Sequence, residues 1–247
     1  MTDLLKLIFL GTGAAAPSVS RRSPALAIQR EGEVILCDCG EGVQVRLQQA
    51  GLSPADVRTM LISHLHGDHL FGLPGFLSSQ QLFKRVQPLT IYGPVGLKRF
   101  LECIRTISKY PVEYPLTIVE LEEKRCSFRA GAFDILALPL RHTSPCFGYR
   151  LQEDAKPGKF DAHKADELGI PNGPERRLLQ YGQKVRVGER MILPHEIVGP
   201  PIPGRVITYC TDTLPCENAL VLARDCDVLV HDATFSDAYA DHAEPTQ

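Results

Sequence analysis

Four side chains able to ligate a metal ion fall within six residues in the run Ser63-His64-Leu65-His66-Gly67-Asp68-His69. Imidazole nitrogen suits zinc, and a hard carboxylate oxygen suits a second, partly oxygen-ligated position. A helix-borne pair of histidine ligands sits one turn apart, at i and i+4. The two-residue spacing of His64 and His66 predicts a strand end or a tight loop instead, with Gly67 permitting a sharp backbone turn. Further ligand types follow apolar stretches elsewhere: His142 after residues 133–140, Asp212 after 206–209 and His231 after 227–230. Taken singly, each is as readily a turn residue or a satisfied core group. As a set, they are what a metal site at the edge of a sheet requires. His163, His195 and His242 lack this placement and read as surface residues.

Bringing these residues together takes strands that end on one side of a sheet. Apolar and β-branched runs predict strands at 5–10, 26–29, 34–37, 61–62, 89–92, 133–140, 147–151, 206–209 and 227–230. The second and third flank Glu31-Gly32-Glu33 and read as a hairpin. Helices are expected at 43–49, 73–83, 97–108 and 219–223, with Leu97, Phe100, Leu101, Ile104 and Ile107 on one face of the third. Strands interleaved with helices place the chain in the α/β or α+β class. Residues 153–194 differ: they are polar, rich in Lys, Arg, Gly and Pro, and read as an inserted arm.

Composition narrows the classes. At 247 residues, 44% hydrophobic and 23% charged, the chain is an ordinary globular one, neither fibrous nor disordered. A net charge of −2 excludes a globally basic nucleic-acid binder but leaves room for a local patch. Residues 4–10 form an apolar run interrupted by Lys6, without a basic segment before it, so they read as a buried first strand and not a leader. No stretch approaches the roughly 18 apolar residues of a membrane span. Eight scattered cysteines without a Cys-x-x-Cys pair read as reduced core thiols, consistent with a cytoplasmic protein. Gly11-Thr12-Gly13 follows a strand but leads into Pro17, so it is not the helix-opening turn of a dinucleotide site.

The run His64-Leu65-His66-Gly67-Asp68-His69 resembles the signature of the metallo-β-lactamase superfamily. Within it, the chain resembles the ribonuclease Z family of tRNA 3′-processing endonucleases. That narrower likeness rests on residues 9–14, 38–42, 72–77, 92–94 and 147–150, and above all on Gly169-Ile170-Pro171-Asn172-Gly173-Pro174. It implies an αββα sandwich of two mixed sheets flanked by helices, one domain over 1–247, with the arm at 153–194 protruding as an exosite. It implies two zinc ions: His64, His66 and His142 on one, Asp68 and His69 on the other, and Asp212 bridging. Asp68 resembles the general base, and His231 a catalytic residue on the leaving-group side, in a motif where Asp232 stands for the usual glutamate.

The implied reaction is two-metal hydrolysis of a phosphodiester, removing the 3′ trailer of precursor tRNA. The implied assembly is a homodimer, with no membrane association. Two departures stand out. The chain ends at Gln247, about where a further His-Ser-Thr segment belongs, so the domain is expected to be C-terminally incomplete with one ligand of the second ion missing. In the loop 17–22, Val19 and Arg22 stand where the family often has lysine and asparagine. Pro17, Arg21 and Arg22 in that loop are implied to bear on reading of the RNA 3′ end.

Between 156 and 190, eight Lys/Arg stand against five acids. A local basic excess suits phosphate contact, and the resemblance implies RNA binding by Lys156, Lys159, Lys164, Gly169, Pro171, Gly173, Pro174, Arg176 and Arg177. Other superfamily hydrolases, acting on small phosphodiesters, thiol esters or lactones, share the histidine run but not the arm. A tRNA-binding relic without turnover is the non-enzymatic alternative.

Overall fold

Short apolar runs bounded by Gly, Pro and Asp turns build most of the molecule, as two layered sheets. The structure is a computed structural model in which residues 4–234 are described. In chain order the elements are β1 (Leu5–Gly11), β2 (Ala25–Arg30), β3 (Glu33–Cys37), α1 (Val43–Gln49), β4 (Val57–Leu61), α2 (Gly67–Leu70), α3 (Gly72–Leu82), β5 (Leu89–Pro94) and α4 (Leu97–Ser108). They continue with β6 (Leu116–Leu121), β7 (Cys126–Ala130), β8 (Phe133–Pro139), β9 (Phe147–Glu153), α5 (Ala162–Glu167), α6 (Pro174–Gln180), β10 (Val185–Val187), β11 (Arg190–Ile192), β12 (Val206–Cys210), α7 (Glu217–Ala223) and β13 (Val228–His231).

The chain divides into two compact units, residues 1–151 with 206–247, and residues 152–205. In the first unit, one sheet runs β1-β2-β3-β4-β5-β6 and the other β13-β12-β9-β8-β7. Both are mixed. β1, β2 and β3 pair antiparallel, whereas β3 to β6 pair parallel. In the second sheet β7 and β8 are antiparallel, and β12 and β13 parallel.

Alternation along β2 shows why two sheets stack. Leu26 and Ile28 enter the core between the sheets, with Ile35, Cys37, Leu61, Phe147, Tyr149 and Tyr209. Ala25 and Ala27 face the other way, into a core shared with Leu47 of α1, Phe76 and Leu77 of α3, and Leu101 of α4. A strand covered on both faces carries an unbroken apolar run, which is what β2 and β3 show. Leu222 and Ala219 of α7 pack with Leu138 and Cys210 over the second sheet. The layers are therefore helix, sheet, sheet, helix.

Some expectations need correction. β6 and β7 lack a legible pattern: in 116–121 only Leu121 is buried, and 126–130 alternate weakly, with only Ala130 buried. On α4 only Leu97 and Leu101 are fully buried, and Ile107 is 79% exposed, because the helix lies on the sheet through a narrower stripe than its apolar residues span. Cys37, Cys39, Cys146 and Cys210 are core residues, but Cys103 is exposed; all eight thiols are free. The segment 153–194, read as an inserted arm with no elements assigned to it, contains α5, α6 and the β10–β11 hairpin. It has its own small core of Ala165, Ile170, Leu179, Val185, Ile192 and Ile197. Those residues are spread too thinly among polar ones to give a periodic signal.

Candidate metal centre

β4 delivers the first ligands. It ends at Leu61, and the chain continues through Ser63 and His64 as loop before His66 opens the single turn of α2. The run is thus loop followed by helical turn, and not loop throughout. The turn swings His69 back beneath His64, with ring centroids 4.2 Å apart. Three backbone hydrogen bonds lock this arrangement. Cys39 N–H donates to the His69 carbonyl at 2.8 Å, Gly72 N–H to the Cys39 carbonyl at 3.0 Å, and Phe147 N–H to the Ser63 carbonyl at 2.9 Å. A Cβ on Gly72 would sit 2.0 Å from the Gly40 carbonyl oxygen, so only glycine permits this approach.

The second sheet supplies the remaining groups from the ends of β8 and β12. The loops bearing His142 and Asp212 are tied by a bridge between Arg141 and Leu214. Arg141 N–H also donates to Thr213 Oγ1 at 3.2 Å. As a result His142 Nε2 lies 3.1 Å from His66 Nδ1. Asp212 Oδ2 lies 3.7 Å from His64 Nε2 and 3.4 Å from His69 Nε2. Ligand atoms converge in two groups, each with its atoms within 4.8 Å of one another: His64, His66 and His142, and His64, His69 and Asp212.

Asp68 stands beside the second group, its Oδ2 3.6 Å from His69 Nε2. It accepts a hydrogen bond from Ala15 N–H at 2.9 Å, which fixes the carboxylate from the β1–β2 loop. A cavity of about 690 Å³ opens on these groups, bordered by Pro17, Ser23, His66, Asp68, His142 and Asp212. An adjoining cavity of about 360 Å³ is lined by Arg21, Asp212 and His231. His231 ends β13 and lies exposed, its Nδ1 3.0 Å from the Asp232 carbonyl oxygen. Arg22 borders neither cavity. His163 and His195 are in the second unit, and His242 lies outside the described residues.

Asp38 is the site residue that spacing did not single out. It follows β3, is wholly buried and accepts four hydrogen bonds. Ser63 N–H and Ser63 Oγ donate at 2.7 and 2.9 Å, Tyr209 hydroxyl at 2.7 Å and His69 Nδ1 at 2.7 Å. The available signal was the one that flagged Asp212, an aspartate within two residues of the end of an apolar strand. Its partners lie 25, 31 and 171 residues away, beyond any local pattern.

The electrostatics fit cation binding. Burial, reinforced by neighbouring His69, pushes His64 down to about 3, so it stays neutral with a lone pair to offer. Burial alone would lower His69 too, but the Asp38 and Asp212 carboxylates outweigh it and hold it up at about 10. For Asp212, burial works upward, yet His69 and His64 hold the carboxyl well below the usual carboxylate range. The Nε2 atoms of His64 and His69 are buried without a hydrogen-bond partner, whereas Nδ1 of each faces Ser63 or Asp38. Paired at one nitrogen and open at the other is the arrangement of a metal-ligating histidine. The residues present therefore fit divalent cations.

Four layers with histidines and carboxylates converging at the sheet ends define a metal-dependent hydrolase of the metallo-β-lactamase fold. A metallo-β-lactamase-fold protein from Bacillus subtilis shares this fold at a TM-score of 0.57 and 15% identity, over 91% of this chain and 69% of its own. Human tRNase Z, short form, superposes with a TM-score of 0.70 at 29% identity, over 97% of this chain and 82% of that one. Ribonuclease Z of Methanosarcina acetivorans is 39% identical over 98% of the chain and 79% of its own length. That of Bacillus cereus is 41% identical over 94% and 77%. Residues 5–110 also match a family model described as anti-Pycsar protein Apyc1. The chain belongs to the ribonuclease Z family.

Proposed function

We propose that this protein is a zinc-dependent endoribonuclease that removes the 3′ trailer of precursor tRNA by hydrolysing one phosphodiester. The observation that carries the reading is the convergence of His64, His66, His142, His69 and Asp212 at a solvent-open cavity in a chain of this family. His64, His66 and His142 would hold one ion, and Asp68 and His69 a second, with Asp212 shared. Such ions polarise a phosphoryl oxygen and lower the pKa of water.

The protein's own part is positioning and proton transfer. Asp38 and Ser63 orient the rings of His69 and His64. Asp68 is proposed to accept the proton of the attacking water, and the hydrogen bond from Ala15 N–H that anchors its carboxylate supports this. His231, on the rim of the adjoining cavity with Asp212, is proposed to serve the leaving 3′-oxygen. Pro17 borders the cavity and Arg21 its neighbour, which supports a role for this loop in placing the RNA 3′ end.

We further propose that residues 152–205 grip the RNA, that the enzyme is a homodimer, and that it acts in the cytoplasm. Free thiols throughout suit a reducing compartment. No helix among the described residues is long and apolar enough to cross a membrane. The test is incubation of the zinc-loaded protein with a precursor tRNA carrying a 3′ extension. A single endonucleolytic cut releasing the trailer, lost on chelation, is the expected result. Intact RNA with two equivalents of zinc bound would refute it.

A further inference from the structure

The second unit carries little net charge for an RNA grip: residues 152–205 hold nine Lys/Arg against eight Asp/Glu. Three of its arginines are engaged by carboxylates, Arg176 with Asp166, Arg190 with Glu196 and Arg205 with Glu153. Arg176 also donates to the Ile170 carbonyl, so it braces the loop 169–173 while its charge is met by Asp166. Phosphate attraction scales with the number of cations that meet the backbone. A surface this nearly neutral needs another source of affinity.

One is present on α6. Leu179 faces the small core, and the four-residue spacing of Arg177 and Tyr181 brings both onto the outer side. The Arg177 guanidinium carbon stands 5.9 Å from the Tyr181 ring centroid, and Tyr181 is 65% exposed. Both border a shallow hollow of about 490 Å³, with Phe160, Asn172 and Gln180 on its walls. The amides of Asn172 and Gln180 are exposed and make no hydrogen bond among the described residues. A stacked guanidinium and aromatic ring, with donor and acceptor amides at the rim, matches the chemistry of a nucleobase: a π-face to stack and a polar edge to pair.

We propose that Arg177 and Tyr181 form a stacking site for an unpaired base of the bound RNA, whose edge is met by Asn172 and Gln180. This rests on the reading of the enzyme as one acting on precursor tRNA. The chain has no tryptophan, so Tyr181→Trp installs a single fluorescent reporter in the full-length protein. Its emission is expected to be quenched by precursor tRNA, with affinity at least that of wild type. Tyr181→Ala is expected to raise Kd for precursor tRNA about tenfold, with an unchanged thermal midpoint, and Tyr181→Phe to restore binding. For a fully paired RNA duplex, wild type and Tyr181→Ala should bind alike.

Unquenched emission despite tight RNA binding overturns the stacking site while sparing the RNA reading. So does equal weakening of Tyr181→Ala on tRNA and duplex. Failure of wild type to bind any RNA overturns the RNA reading and the site with it.

Discussion

Asp38 Oδ2 lies 2.7 Å from Nδ1 of His69, and neither side chain has any exposed surface. The pair joins the end of β3 to the turn after β4 and presents the opposite nitrogen of the ring to the metal centre. Removing the carboxylate leaves a buried imidazole without its partner. Asp38→Ala is expected to cost about 3–5 kcal/mol of stability and to weaken metal binding about 10- to 100-fold. Calorimetry and metal analysis of the purified variant check this. Wild-type zinc content with an unchanged melting point would remove Asp38 from the orientation of His69.

Cation binding should displace a proton. In the metal-free protein His69 is raised from 6.5 to about 10, so it is protonated at neutral pH. Its contact with Asp38 and Asp212 then contributes stability that is fully present below about pH 6.5 and lost as pH rises through about 10. A ligating imidazole must be neutral. Zinc titration at pH 7.5 in buffers of different ionisation enthalpy is therefore expected to report about one proton released from this residue, and none in His69→Ala.

Asp212 is the carboxylate that meets His64 and His69 together, at 3.7 and 3.4 Å. Asp212→Ala should abolish hydrolysis, by a factor of about 10³ or more, as expected for loss of a charge in a preorganised site. Binding of precursor tRNA should stay near wild type. Normal cleavage by the variant would show that Asp212 does not bridge the ions.

The second unit has its own core, so it is best removed whole. Deleting only 156–190 would strand Ile192 and Ile197 without partners. Replacing residues 154–204 by a short Gly-Ser linker should cut precursor-tRNA turnover far more than hydrolysis of a small phosphodiester. Equal losses on both substrates would exclude this unit from RNA recognition.

Gly72 tests the local packing under the histidine turn. A methyl group there meets the Gly40 carbonyl at 2.0 Å. Gly72→Ala is expected to lose at least about 2 kcal/mol, seen as a melting point lower by about 4–8 °C. An unchanged melting point would mean that the backbone between Gly40 and Gly72 yields without cost.

Local pattern carried the reading wherever physical chemistry acts over a few residues. The density of ligand types at 64–69 announced a metal site, because no other role concentrates three imidazoles and a carboxylate so tightly. Apolar and β-branched runs located β1, β2, β3, β5 and the strands that end near His142, Asp212 and His231, whereas the strand expected at 61–62 lies at Val57–Leu61, because Arg58 and Thr59 hide its start. Residue spacing also placed α1 and α4 at their observed bounds.

Tertiary structure decided what depends on distant neighbours. It paired His66 with His142 across 76 residues, and set Asp38 under His69 through partners on both sheets. It exposed Ile107, whose helix rests on a narrower stripe than its composition suggests. It also gave residues 152–205 a core built from apolar side chains too scattered to signal one in sequence. A residue type states which bonds a side chain can make. Which partners come within 3 or 4 Å is settled only when two sheets and their connecting loops close around the same point.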